Sequence, residues 1–225
     1  MPSQMIARNS QAHVVATMAR PAPQAMGETV ELMGAVMPFA RNAEIYGENE
    51  PAEYLYKVVS GAVRTYRVLN DGRRQIGAFY LPGDVFGIEV GEQHTFSAES
   101  IVDSKVMLIK RSSLLALASR SADVARQLWT MAATELQRAQ DHTMLLIKTA
   151  QERVAGFLLE MAKRTPRANA VELPMSRQDI ADYLGLTIET VSRTLTQLEN
   201  SAAIEVPTSR RIVLRNQAVL SRLNG

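Results

Sequence analysis

From about Ile45 the chain runs in short apolar–polar segments broken by glycine, proline or Asn-Asp-Gly. YLYKVVSG, AVRTYRVL and RRQIGAFYL are such segments. They are rich in Val, Tyr and Ile, the residue types that suit a pleated, half-buried surface. Asn70-Asp71-Gly72 between two of them is a hairpin signal, and Leu81-Pro82-Gly83-Asp84 marks a second turn. Further strands are expected over 94–101 and 104–110. Evenly spaced short strands predict a compact antiparallel barrel or jelly roll. Past Arg111 the turn residues stop. Asp123 to Leu146 holds no Gly or Pro, and Val124, Leu128, Met131, Glu135, Leu136, Ala139 and Thr143 recur at three or four residues, the period of an amphipathic helix. TAQERVAGFLLEMAKR (149–164) is a second such helix, with Val154, Phe157, Leu158 and Met161 on one face. Upstream, residues 1–27 show no stable period and contain Pro-Ala-Pro, so they read as a partly disordered extension. A short helix is expected from Glu28 to Met37, ended by Pro38.

One helix after a barrel has little of its own chain to cover it. The long helix is therefore expected to pair with its twin in a homodimer, through Val124, Leu128, Met131, Glu135 and Ala139. The same period would serve a helix packed on its own barrel, and spacing alone does not name the partner.

The segment SRQDIADYLGLTIETVSRTLTQLE (176–199) reads as two helices joined at Gly185. Ser176 is an N-cap candidate, and Asp179 three residues on makes a near capping box. Gly185 can take the left-handed conformation that ends a helix, and Thr187 can cap the next one. On a wheel at about 100° per residue, Ile188, Val191, Leu195 and Leu198 cluster on one side. Glu189, Ser192, Arg193, Thr196 and Asn200 fall on a separate, outward arc. Two helices, a tight glycine turn and a polar outer face make a helix-turn-helix, whose second helix fits the DNA major groove. Arg193 can donate two hydrogen bonds to guanine O6 and N7. Glu189 can accept from a cytosine or adenine amino group, and four residues from Arg193 it can also hold that guanidinium in place. Ser192 and Ile188 complete the candidate base-reading set. Arg177, Thr187 and Thr190 lie near helix N-termini, where phosphate oxygens are favoured. IEVPTSRRIVL gives two β runs whose turn carries Arg210 and Arg211, candidate phosphate contacts on a wing. A surface ion pair is the ordinary alternative for Glu189 and Arg193, worth only about 0.3–0.5 kcal/mol.

Composition narrows the rest. The chain has 225 residues, 46% hydrophobic and 21% charged, a globular balance long enough for two domains. No cysteine is present, which removes disulfides, thiolate metal sites and cysteine-held iron–sulfur clusters. No apolar run suggests a membrane span and no h-region a secretory signal, so a cytoplasmic location fits. Net charge is +2; residues 147–225 carry 11 Lys+Arg against 8 Asp+Glu, a local +3. Only the C-terminal part leans toward a polyanion.

These segments resemble the Crp/Fnr family of bacterial transcription regulators. MSRQDIADYLGLTIETVSRTL is close to the family's signature, and YLYKVVSGAVRTY, YLPGDVFG and QERVAGFLLEMAKR follow in the family's order. The resemblance runs from about residue 28 to the end. It implies an α+β chain: an N-terminal antiparallel β-roll, a jelly roll like the cyclic-nucleotide-binding domain (28–120), a dimerisation helix (121–146) and a C-terminal winged helix-turn-helix (147–225). It also implies double-stranded DNA and RNA polymerase as partners, the latter met through exposed loops of the roll. The Glu189-xx-Ser192-Arg193 spacing is similar to that of the Fnr side, whose members recognise palindromes of the TTGAT-N4-ATCAA kind. Cyclic-AMP receptors of this family hold their nucleotide with a Gly-Glu-Leu segment and an Arg-Ser pair. Here the stretch is GDVFGIEVGEQHTFSA: Gly87-Ile88-Glu89 misses the spacing and Phe96-Ser97 stands in place of Arg-Ser. With the cluster cysteines absent too, the chain resembles the FixK-like branch, whose members act without a bound cofactor.

Two other readings remain at this point. An unidentified small ligand in the roll would gate the same regulator. A cupin-type metal enzyme would need converging histidines, and of His13, His94 and His142 only His94 lies in the β region. No nucleophile–base pair or phosphate-cradling loop is present, so an enzyme is not expected.

Overall fold

The computed structural model describes residues 33–164 and 170–224. The N-terminal extension and residues 28–32 of the expected first helix lie outside the described residues. Eight strands come first: β1 (Ala35–Phe39), β2 (Glu44–Tyr46), β3 (Tyr54–Ser60), β4 (Val63–Val68), β5 (Arg74–Tyr80), β6 (Val85–Phe86), β7 (Ser97–Ser100) and β8 (Ser104–Lys110). They form two antiparallel sheets, ordered β1-β8-β3-β6 and β2-β7-β4-β5. The Asn-Asp-Gly signal is the β4–β5 hairpin turn, with Gly72 at φ 81°. Residues 35–37 correct the sequence reading: they are strand, not helix. Pro38 is tolerated because β1 is an edge strand, where one missing donor costs little. Between the sheets lies an aromatic core of Tyr46, Tyr56, Tyr80 and Phe86 with Val58, Val63 and Val106.

Helices follow: α1 (Arg111–Ala118), α2 (Ala122–Leu146) and α3 (Ala150–Arg164), then the short strand β9 (Ala170–Glu172). The predicted face of α3 is buried: Val154, Phe157, Leu158 and Met161. Then come α4 (Arg177–Leu184), α5 (Ile188–Asn200), β10 (Ile204–Thr208), β11 (Arg211–Leu214) and α6 (Gln217–Asn224). β9, β10 and β11 make a small antiparallel sheet behind the two helices.

The long helix packs on its own roll along the face expected to meet a second copy. Val124 is buried against Leu55, Ile109 and Leu114 of its own chain, and Leu128 and Met131 pack on the same cluster. Glu135 accepts a hydrogen bond from Tyr80 Oη at 2.6 Å. Four of the five residues expected at a dimer interface therefore face the chain's own roll. The roll offers an apolar surface beside α1, and helical period alone could not distinguish that surface from a second helix. Ala139 is exposed on another side, and there a second stripe appears. Ala125, Trp129, Ala132, Leu136, Ala139 and Thr143, at alternating spacings of four and three, are all exposed. Trp129 is 76% exposed and Leu136 60%.

Roll, long helix and C-terminal part meet at one buried carboxylate. Asp84, in the turn after β5, accepts from Arg138 Nη2 of α2 and from Arg164 Nη2 of α3, each at 2.5 Å. Burial alone would raise its pKa; the two guanidinium charges outweigh that and hold it below the usual carboxylate range. Arg164 also donates to the Phe79 carbonyl at 2.6 Å. Asp84→Ala would strand two cations in a mostly buried site, so we expect a loss of about 3–5 kcal/mol in urea unfolding. A loss under about 1 kcal/mol would show the cluster to be dispensable.

Candidate DNA-reading surface

Helix α4 starts as its sequence dictates. Asp179 N donates to Ser176 Oγ at 3.1 Å, and Asp179 Oδ2 accepts from Ser176 N at 2.9 Å and Ser176 Oγ at 2.8 Å. The aspartate serves in the capping box where glutamate is usual. The helix ends at Gly185, φ 62°, a conformation a side chain would strain. Thr187 then caps α5, its Oγ1 accepting from Thr190 N at 3.2 Å. Both the tight turn and the start of the reading helix thus follow from side chains of the motif itself.

Val191, Thr194, Leu195 and Leu198 turn inward on α5. Glu189, Ser192, Arg193, Thr196 and Asn200 are exposed, as the wheel predicts. Ile188 departs from the apolar cluster assigned to it: it is 37% exposed at the first helical position, beside the polar arc. That leaves it available for its other assignment, base contact. The expected Glu189–Arg193 pair does not form in this structure. The carboxylate of Glu189 is held by its own backbone N–H and by the Thr187 hydroxyl, which lower its pKa. At the second helical position the free N–H groups and the dipole outcompete a guanidinium one turn away. Arg193 reaches Thr190 Oγ1 only at 3.5 Å, a marginal contact, and is otherwise extended into solvent.

The phosphate candidates divide. Thr187 is exposed and Thr190 half-buried at the start of α5. Arg211 is exposed on the wing, 3.7 Å from Glu172. Arg210 is tied down, donating to the Pro174 carbonyl at 3.0 Å. Arg177 is half-buried; burial lowers its pKa, and its Nη1 is buried without a hydrogen-bond partner among the described residues.

Residues outside the motif fix its position, and the sequence reading missed them. Arg153 of α3 donates to the carbonyls of Lys148 (2.7 Å) and Leu184 (2.8 Å), pinning the end of α4 to the α2–α3 junction. His142 of α2 stacks on Tyr183, centroids 4.0 Å apart and planes within 3°, with its Nε2 2.8 Å from the Tyr183 carbonyl. A carbonyl only accepts, so Nε2 carries the proton. Apolar contacts join the same units: Ala62, Ile76, Phe79 and Ile101 of the roll share a core with α3, α4 and α5.

The roll interior is filled by side chains. His94 stacks on Tyr46 at 3.6 Å between centroids, and Tyr56 lies 5.1 Å from Phe86. Glu89 is used locally, accepting from Thr95 N at 3.0 Å, and Ser97 Oγ accepts from Glu48 N at 2.9 Å. The Phe96 ring lies under the Arg67 guanidinium. A cavity of about 80 Å³ lies between the turn at Gly83 and α2, and more open clefts of about 280 Å³ beside Arg64 and Arg74 and about 320 Å³ beside Glu53 and Arg111 border the roll on its outside. Among the described residues no group of three or more His, Asp or Glu is placed to hold a metal, and no helix is long and apolar enough to cross a membrane.

A β-roll, a long helix with a free apolar stripe, and a winged helix-turn-helix with an exposed polar reading face define a DNA-binding transcription regulator. Comparison with known proteins agrees. Residues 36–121 match the cyclic nucleotide-binding domain and residues 152–223 the Crp-like helix-turn-helix domain. The chain is 52% identical over 213 residues to the nitrogen fixation regulation protein FixK of Azorhizobium caulinodans, covering 92% of this chain and 84% of that one. It is 40% identical over 191 residues to FixK of Rhizobium meliloti, covering 84% and 87%. The solved structure of FixK2 from Bradyrhizobium japonicum superposes with a TM-score of 0.82 at 55% identity, covering 85% of this chain and 98% of that chain. The chain belongs to the Crp/Fnr family and is a regulator rather than an enzyme.

Burial pushes the pKa of His142 and of His94 below the ordinary value. The folded state therefore keeps both neutral where the unfolded chain begins to bind protons, below about pH 6.5. Stability is complete above that pH and falls as the pH drops beneath it. Thermal melts should show a lower Tm at pH 5.5 than at 7.5, and His142→Gln should shrink that difference. A Tm that rises on acidification would contradict the assignment.

Proposed function

We propose that the protein is a homodimeric transcription activator of the FixK type, binding a TTGAT-N4-ATCAA-like palindrome without a small-molecule effector. The observation that carries this is the α5 surface: Ile188, Glu189, Ser192 and Arg193 exposed together over a buried Val191, Leu195 and Leu198. Arg193, free of strong partners among the described residues, would take guanine O6 and N7; Glu189, preset by Thr187, would accept from a base amino group; Ile188 would meet a thymine methyl. Thr187, Thr190 and Arg211 would contact phosphates. Arg177, half-buried at the start of α4, would join them only by swinging its guanidinium outward to a phosphate oxygen. Arg210 we assign to shaping the wing. The activator reading is supported by the name of a 39% identical relative, the transcriptional activatory protein AadR of Rhodopseudomonas palustris, and RNA polymerase is the partner it requires, met through exposed loops of the roll.

The second copy is assigned to the free stripe of α2, whose four–three spacing is that of a coiled-coil seam. We place the domains at 28–120, 121–146 and 147–225; the two family matches fall on either side of α2. Effector independence is supported by the packed aromatic interior, in which Tyr46, Tyr56, Tyr80 and Phe86 fill the space between the sheets.

The test is an anisotropy titration against TTGAT-N4-ATCAA and a scrambled duplex, with nothing added. Tight binding to the palindrome alone is expected; binding that appears only with an added small molecule would favour a ligand-gated regulator. Arg193→Ala should weaken palindrome binding by about 1–3 kcal/mol and leave the scrambled duplex nearly unaffected. Equal loss on both would remove the base-reading role. Leu136→Glu should yield monomers in sedimentation and lower palindrome affinity by about 100-fold or more. A dimer that survives this change would put the interface elsewhere.

A further inference from the structure

Helix α4 is attached to the roll by an ionic latch built from two points along its length. Asp179 Oδ1 accepts from Arg64 Nη1 at 2.9 Å and from Arg74 Nη2 at 2.6 Å. Its other oxygen is committed to the capping box, so one carboxylate is fixed to both the helix and the roll. One turn further on, Asp182 Oδ2 accepts from Arg74 Nε at 2.9 Å. Arg64 is itself held by Glu99 of β7 at 2.9 Å. Asp179 is 3% exposed and Arg64 7%.

Two attachments about 4.5 Å apart along a helix block rotation about its axis as well as sliding. At the far end the His142 stack and Arg153 hold Tyr183 and Leu184, and Gly185 passes that orientation directly to α5. Buried ion pairs add little to stability against an apolar replacement of the same shape. Their useful property is geometric: the charges are satisfied in one arrangement only. We propose that Arg64 and Arg74, lying on strands of the roll rather than on the reading helix, are positioning residues for DNA recognition, and that their latch on Asp179 and Asp182 sets the separation and phase of the two reading helices in the dimer. The half-site spacing that the regulator accepts is then a property of the roll–α4 contact. This inference rests on the homodimeric, base-reading function proposed above.

The experiment uses the full chain with Arg74→Gln, and separately the pair Arg64→Gln/Asp179→Asn, which neutralises both partners of that contact while taking Arg64 from Glu99. Arg74 is partly exposed, so its variant serves if the pair fails to fold; circular dichroism checks both. Affinity is measured for duplexes with spacers of N3, N4, N5 and N6, since each base pair adds about 3.4 Å and 35° between half-sites. The unaltered protein should prefer N4 by about 10- to 100-fold over its worst neighbour. The latch variants should compress that preference to about threefold or less while binding an isolated half-site unchanged, since α5 itself is untouched. A spacing preference that stays sharp while all affinities fall together would overturn the proposal and leave the latch a purely structural contact.

A second arm needs no DNA. The chain contains no cysteine, so Gln197→Cys on the exposed side of α5 gives one spin label per protomer. The label-to-label distance distribution should be narrow in the otherwise unaltered protein and broad in the latch variants. An unchanged distribution would overturn the latch. A parent protein that ignores its palindrome would instead overturn the reading of α5, so the two failures are distinguishable.

Discussion

The carboxylate of Asp179 receives four hydrogen bonds from three other residues: the backbone and hydroxyl of Ser176, and the guanidinium groups of Arg64 and Arg74. A buried charge survives only with this degree of satisfaction. The same atoms therefore decide two things at once, where the first helix of the motif begins and how it sits on the roll. Without that fixed helix, the exposed face of α5 would have a shape but no defined place relative to a second copy. Asp84 performs the equivalent task one layer away, joining the roll, the long helix and α3 through Arg138 and Arg164. Between them the two aspartates turn three segments of chain into one frame.

The roll matches a nucleotide-binding family yet spends its interior on its own side chains. Tyr46, Tyr56, Tyr80, Phe86 and His94 pack against one another between the sheets, and the Tyr80 hydroxyl is committed to Glu135. Burial raises the pKa of Glu135, in keeping with a carboxyl kept from water under the long helix. In the function proposed here the fold serves as scaffold: it supplies Arg64, Arg74 and the Asp84 turn, and its contribution to DNA binding is orientation.

Local signals in the sequence were the readable ones. Asn-Asp-Gly, Gly185, Ser176 with Asp179, and Thr187 each act within four residues, and each does in the structure what its chemistry dictates. The buried face of α3 was legible for the same reason. What escaped was set by residues distant in sequence. Asp179 looked like a cap and nothing more, because its arginines lie 105 and 115 residues away. The long helix carries two apolar stripes; the richer one covers its own roll, and the exposed one, diluted by three alanines and a threonine, gives a weaker periodic signal. Residues 35–37 read as helix because the pairing that makes them strand is with β8, some seventy residues on. Glu189 and Arg193 had helix-pair spacing, but the carboxylate interacts instead with its own N–H and the Thr187 hydroxyl, which lower its pKa.

The central claim is that Arg193 reads a guanine edge. The most direct measurement replaces each half-site guanine with 7-deazaguanine, which lacks the N7 acceptor, and titrates the native chain and Arg193→Ala against both duplexes. Removing N7 should cost the native protein about 1–3 kcal/mol and cost Arg193→Ala almost nothing, a coupling that only a direct contact produces. Losses that simply add, with the base change equally costly in both proteins, would contradict the account.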